Sequence, residues 1–202
     1  MTIADGYHAL APGRLATIVT FLEMTAAPVL PETPAPAGVT LEAADPADVD
    51  GYRALFLKIG ADYLWWSRLA DGDDALRGIL AEPTRAIFIA RREGAAIGLI
   101  EFDFRDPADA ELAFFGLVPQ AIGGGTGRWL MTEGLRRAWA RPDLKRLYVH
   151  TCHFDSPQAI GFYIRSGFRP YDTQIEVFED PRLAGILPRD AAPQVPLAVR
   201  PA

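Results

Sequence analysis

Val49, Tyr52, Phe56 and Ile59 fall three or four positions apart, the spacing that lines one face of a helix. Asp45 and Pro46 stand before them as expected N-cap and N1 residues, and Gly60 closes the segment. "ADYLWWSRLA" predicts a short second helix and "DDALRGILAE" a third, stopped by Pro83. The run "TRAIFIARREGAAIGLIEFDFR" is apolar but broken by Arg91, Arg92 and Glu93. It predicts two strands around a turn at Glu93-Gly94. A further strand is expected over 110–118. "GRWLMTEGLRRAWA" then carries Met131, Leu135 and Ala138 as one apolar stripe, and Pro142 stops that helix. "RLYVHTC" and "FRPYDTQIEVF" predict strands. Between them Ser156 and Pro157 suit an N-cap and N1, and Gly167 suits the C-terminus of a short helix.

Before all of these lies "RLATIVTFLEM", β-branched and apolar, an expected N-terminal strand. Prolines at 28, 31, 34 and 36 make the segment after it an extended connector. This divides the chain into an N-terminal strand and connector (1–38), a main domain (39–178) and a tail (179–202) with no readable pattern. The N-terminal strand is free to dock on its own chain or on a second protomer, which leaves a homodimer possible. The element order gives an α+β, or mixed α/β, fold class.

Four of the five residues from Gly123 to Gly127 are glycine, between a strand and a helix. Each glycine in ordered structure costs about 0.5–1 kcal/mol relative to alanine. A tight turn needs one or two. Four suit a site where phosphates approach bare backbone at a helix N-terminus. The Walker pattern fails, because Arg128 and Trp129 follow Gly127. The dinucleotide pattern fails because it needs a glycine at 128.

"LVPQAIGGGTGRWLM" resembles the coenzyme-A-binding motif of the GNAT superfamily of N-acetyltransferases, V-x-P followed by Q/R-x-x-G-x-G/A. Pro119 sits at the proline, Gly125 and Gly127 at the required glycines, and Ile122 at the polar position, which it departs from. "DSPQAIGFYIRSGF" is similar to the family's later motif, with Ala159, Tyr163, Gly167 and Phe168 in place. The resemblance covers about 39–178. It implies a central, mostly antiparallel sheet with one splayed parallel strand pair, and an acetyl-CoA-dependent N-acetyltransferase working by direct transfer to a primary amine. Acetyl-CoA would lie along Leu117 and Val118, with Ile122, Gly123, Gly124, Gly125, Thr126, Gly127, Arg128 and Ser156 on the cofactor. Strand N–H groups would polarise the thioester carbonyl. Tyr163 is the implied general acid and Glu111 the implied base, with Glu101 and Asp103 in reserve. Tyr63, Trp65 and Trp66 are candidates for the acceptor wall. The alternative is a module that binds acyl-CoA without catalysis.

Charge and composition narrow the partners. Net charge is −6 and no long Lys/Arg cluster occurs, against a nucleic-acid partner. No stretch reaches the roughly 18 apolar residues of a membrane span. The single cysteine, Cys152, excludes an internal disulfide framework and fits a reducing, cytoplasmic setting. His150, Cys152 and His153 invite a metal reading, but His153 points away on a strand and no fourth ligand is evident, so no metal is expected. A small-molecule or peptide amine remains as the acceptor. Alkylamines are protonated near pH 7, with pKa values of about 10.4, so a base is required.

Overall fold

A computed structural model describes residues 3–197. Seven strands form one sheet in the order β2-β3-β4-β5-β6-β1-β7. They are β1 (Arg14–Met24), β2 (Val39–Ala43), β3 (Arg85–Arg92), β4 (Ala95–Asp103), β5 (Asp109–Leu117), β6 (Arg146–Cys152) and β7 (Arg169–Glu179). The helices are α1 (Val49–Gly60), α2 (Ser67–Ala70), α3 (Asp73–Ala81), α4 (Thr126–Trp139) and α5 (Ala159–Arg165). Every neighbouring strand pair is antiparallel except β5 with β6. This is the mixed, mostly antiparallel sheet that the element order and the resemblance lead one to expect.

The β3–β4 turn is tight because Glu93 and Gly94 both take positive φ, 50° and 81°. On one face of the sheet, α1 lays Phe56 edge-on to Phe114, with ring centroids 4.9 Å apart. Ile59 fills the place where Gly116 has no side chain. On the other face α4 approaches so closely that a Cβ on Gly134 would collide with Ile100. Phe56 and Phe102 are fully buried, and truncating either to alanine is expected to cost about 3–5 kcal/mol.

β1 is an interior strand of this sheet. It pairs with β6 from Val19↔Cys152 to Met24↔Leu147 and with β7 from Arg14↔Glu179 to Glu23↔Arg169. It docks on its own chain.

Three local expectations are corrected. Asp48, not Asp45, caps α1, accepting from the Gly51 N–H at 3.0 Å. Asp45 instead closes the preceding turn on Ala47. The segment 61–70 is not one helix. A 3-10 turn (Ala61–Tyr63) ends at Leu64, which takes the left-handed φ of 58°, and α2 starts only at Ser67. Helix α5 starts at Ala159 behind Gln158, while Ser156 opens the turn before it. Its C-terminus closes as Gly167 allows: φ is 107°, the Gly167 N–H reaches the Ile164 carbonyl and the Phe168 N–H reaches the Tyr163 carbonyl.

The tail folds back. Arg182, only 3% exposed, pairs with Asp180 at 2.7 Å and donates to the carbonyls of Ala191, Ala192 and Val195. This gathers Leu187, Ala191, Ala192 and Val195 around the Leu64 side chain in a second small core. Burial of Leu64 there offsets the roughly 1–2 kcal/mol that a left-handed backbone costs a non-glycine residue.

Candidate active site

β5 and β6 pair only at Asp109↔Arg146, Ala110↔Leu147 and Glu111↔Tyr148. Beyond Glu111 they part, and a cleft of about 1170 Å³ opens between them. Its walls come from both faces of the sheet, from the glycine loop and α5 at one end to the 63–68 segment at the other.

The glycine loop is a backbone device. Gly123, Gly124 and Gly125 all take positive φ, 93°, 56° and 83°, and a Cβ on any of them would point into open space. They are required by conformation and not by crowding. Gly125 is the N-cap of α4 and has no side chain to cap with. The first bond of the helix is Trp129 N–H to the Gly125 carbonyl, 3.0 Å. The amides before Trp129 therefore have no intrahelical partner, and the helix dipole adds positive potential there. Ile122, Gly123, Gly124, Gly125, Gly127 and Arg128 all line the cleft, as does Ser156 across from them.

Two expected cofactor residues do not offer their side chains to the cleft. Thr126 is completely buried, and its hydroxyl accepts from Arg92 at 3.3 Å. Val118 is buried, and its N–H is spent on the Ile97 carbonyl, 3.0 Å. That bond fixes the alternation along β5. Ile97 and Val118 are a hydrogen-bonded pair, so Gly98↔Leu117 and Ile100↔Phe115 are not. The main-chain N–H and C=O groups of Leu117 and Phe115 thus face the gap toward β6. Phe115 is a strand donor that the motif did not point to.

Tyr163 lies on the wall, 7% exposed, against Phe115, Phe162 and Phe168. Burial, and secondarily the Asp155 charge, push its pKa well above the usual phenol value. It stays protonated through the neutral range and holds a proton it can give.

Near the fork, Glu111 approaches His150 of β6, with Oε1 3.0 Å from Nδ1. This hydrogen bond raises the His150 pKa above its ordinary 6.5, against burial. Plain alternation would put Glu111 on the same face as Phe115. A bulge at Ala113 changes the parity: Glu101 pairs with Phe114, but Phe102 pairs with Leu112. Glu111 is thereby turned to the α1 face. The sequence weighed His150 only as a metal ligand. Among the described residues no group of three His, Cys, Asp or Glu side chains is placed to hold a metal ion.

The two reserve carboxylates are not free. Glu101 is fully buried and accepts from Tyr52 (2.7 Å), Arg68 (2.6 Å) and Arg85 (3.0 Å). Asp103 is held by Arg85 (3.0 Å) and by the backbone and side chain of Arg105. Both serve structure, because their lone pairs are already taken up.

Tyr63, Trp65 and Trp66 all line the cleft, with Trp65 beside Phe114 and Gly116 of β5. Trp65 packs between Phe56 and Phe114, and its indole N–H donates to Asp155 at 3.2 Å. Asp155 also accepts from the Thr151 hydroxyl (2.7 Å) and the Cys152 amide (2.9 Å). It ties the aromatic wall at Trp65 to the end of β6. Its place before Ser156-Pro157, at a strand end, was the available signal. Burial raises the Cys152 thiol pKa, so it is a poor nucleophile.

The fold is similar to that of a GCN5-related N-acetyltransferase from Sphaerobacter thermophilus, with a TM-score of 0.60 and 13% identity over 84% of this chain and 52% of that one. A similar fold occurs in a GCN5-related N-acetyltransferase from Kribbella flavida, with TM-score 0.55 and 17% identity over 86% of this chain and 63% of that one. It recurs in an acetyltransferase from Thermus thermophilus, with TM-score 0.52 and 17% identity over 72% of this chain and 100% of that one. The chain thus spans about half of the Sphaerobacter protein's length. No curated protein matches it in sequence. The sequence model of the acetyltransferase (GNAT) family matches residues 52–168, more than half of the chain and all of the cleft's glycine loop, fork and Tyr163. The chain belongs to the GNAT family of acetyltransferases.

Proposed function

We propose that this cleft moves an acetyl group from acetyl-CoA directly to a primary amine. The observation that carries the reading is the run of three left-handed glycines. It opens unpaired amides at the α4 N-terminus beside the unpaired edge of β5. A diphosphate suits those amides, with Arg128 on the rim adding charge. An extended pantetheine arm suits the free edge of β5, where the Leu117 and Phe115 main chains offer strand-like pairing.

One of these N–H groups holds the thioester carbonyl and stabilises the oxyanion as the amine attacks. The Glu111–His150 pair takes the proton from the ammonium. Glu111 orients the imidazole, and neutral His150 accepts. As the C–N bond forms and the C–S bond breaks, Tyr163 gives its proton to the departing sulfur, and the second proton shed by the nitrogen on becoming an amide restores the phenol. The wall residues Trp65, Phe114 and Phe115 exclude water from the reacting carbon.

Titration calorimetry with acetyl-CoA, beside a thiol-release assay over a panel of amines, tests this. Expected are binding of acetyl-CoA and amine-dependent thiol release. Binding without thiol release for any amine would leave a module that only holds acyl-CoA. Absence of binding would remove the reading altogether.

A further inference from the structure

We propose that the acceptor carries a carboxylate beside its amine, as a free amino acid does. This inference rests on the acyl-transfer reading of the same cleft.

Three guanidinium groups line the acceptor end: Arg68, Arg85 and Arg105. The two carboxylates that hold them, Glu101 and Asp103, are both buried. Arg85 is committed to both of them, at 3.0 Å each. Arg105 is bound on one edge by Asp103, yet its side chain is 71% exposed. Arg68 spends one nitrogen on Glu101 at 2.6 Å, while its other terminal nitrogen lies a loose 3.9 Å from Asp71. Its Nε is the one sealed side-chain polar atom among the described residues that has no hydrogen-bond partner. Three guanidiniums thus share Glu101 and Asp103, with Asp71 only loosely on Arg68, and donors are left over. A buried donor without an acceptor is costly, and a guanidinium edge matches a carboxylate in shape as well as charge. The Arg68 terminal nitrogen that faces Asp71 is held only at 3.9 Å, so it can turn to a carboxylate in the cleft while the other nitrogen keeps its bond to Glu101.

The position of this cluster defines the ligand. Asp103 and Glu111 are direct partners across β4 and β5. The side chains of such partners stand about 5 Å apart. The proton-accepting pair and the guanidinium cluster are therefore neighbours on one face. A molecule bridging them needs its cationic nitrogen and its anionic group on the same carbon or on adjacent ones. Glu111 and Glu176 offer anions to the nitrogen, and Arg68 and Arg105 offer cations to the carboxylate; all four line the cleft. A polyamine offers nothing to the arginines. A peptide N-terminus has an amide where the carboxylate is needed.

Matched acceptors test the proposal: L-phenylalanine against phenethylamine and L-phenylalaninamide, and L-lysine against 1,5-diaminopentane. Initial rates are measured for the wild-type chain, Arg68→Ala and Arg105→Ala. In the wild type the carboxylate-bearing member of a set should be preferred by about ten-fold or more in kcat/KM, the value of one charge-assisted contact. Either variant should erase most of that preference and leave the KM for acetyl-CoA unchanged. Arg105→Ala, at an exposed side chain, keeps the test open should Arg68→Ala fail to fold. Equal or better use of the decarboxylated or amidated members overturns the proposal, as does a preference that survives in both variants. Binding of acetyl-CoA without acetylation of any carboxylated member also overturns it, whereas failure to bind acetyl-CoA removes the acyl-transfer reading itself.

Discussion

The two ends of the cleft are built from different materials. At the glycine loop the working groups are main-chain amides, and side chains contribute little: Ile122 points out to solvent and Thr126 is turned inward onto Arg92. At the aromatic end the lining groups are side chains drawn from α2, β3, β4, β5, β6 and β7, and the loop that carries the aromatics is held by the folded tail. A backbone site is specified by conformation and tolerates many side chains. A side-chain site is specified by packing between distant segments and fails when a remote support is lost.

Tyr163→Phe is the sharpest way to test the boundary between the ends. Loss of a general acid is worth about 10²–10⁴ in rate, so kcat should fall by that order. Acetyl-CoA affinity, which the backbone provides, should hold in calorimetry. Unchanged kcat would remove the residue from the chemistry.

Glu111→Gln should lower kcat/KM by about 10²-fold, and it makes a separate statement about pH. His150 accepts a proton only when neutral, so kcat/KM rises with pH through its pKa. The Glu111 hydrogen bond places that limb above 6.5 in the wild type. The glutamine variant should move it toward acid. A limb that stays in place in the pH–rate profile would separate His150 from the reaction.

Arg182→Met removes the link that holds the tail without touching the cleft. Breaking a buried pair by removing one partner costs about 3–5 kcal/mol, so the melting temperature should fall. If the tail positions Leu64 and the aromatics beside it, acceptor KM rises several-fold at temperatures where the variant is folded, with acetyl-CoA affinity intact. Equal losses at both ends would show the tail to be general support.

At the glycine loop the expected effects fall on binding alone. Gly124→Ala, forced into φ 56°, should weaken acetyl-CoA binding by about ten-fold, corresponding to the 1–2 kcal/mol of left-handed strain. Ile122→Ala should change it by less than about two-fold, within the usual tolerance of an exposed site.

The same contrast explains what the amino-acid sequence could tell. The glycine run, the α5 cap at Gly167 and the strand periods are local signals, and they led directly to the sheet and to the loop. The turn of Glu111 toward His150 depends on an extra residue at Ala113, which no alternation rule reveals. Asp155 matters because Trp65 reaches it from ninety residues away. The tail looked patternless because its apolar residues fit no helix or strand period; they pack around one leucine in a turn. Glu101 and Asp103 looked available because their arginine partners are distant in sequence.

The position of β1 has a consequence for synthesis. β1 leaves the ribosome ahead of the other six strands of the sheet and has partners only in the last two of them, with Arg14 opposite Glu179 and Val19 opposite Cys152. The β2–β5 half can zip together while the nascent chain is still growing, but the slot beside β6 does not exist until most of the polypeptide is out. Closing so long a loop is entropically slow and leaves two strand edges open to foreign pairing in the interval. Removing β1 would make that interval permanent, so a chain lacking it should aggregate instead of folding in trimmed form.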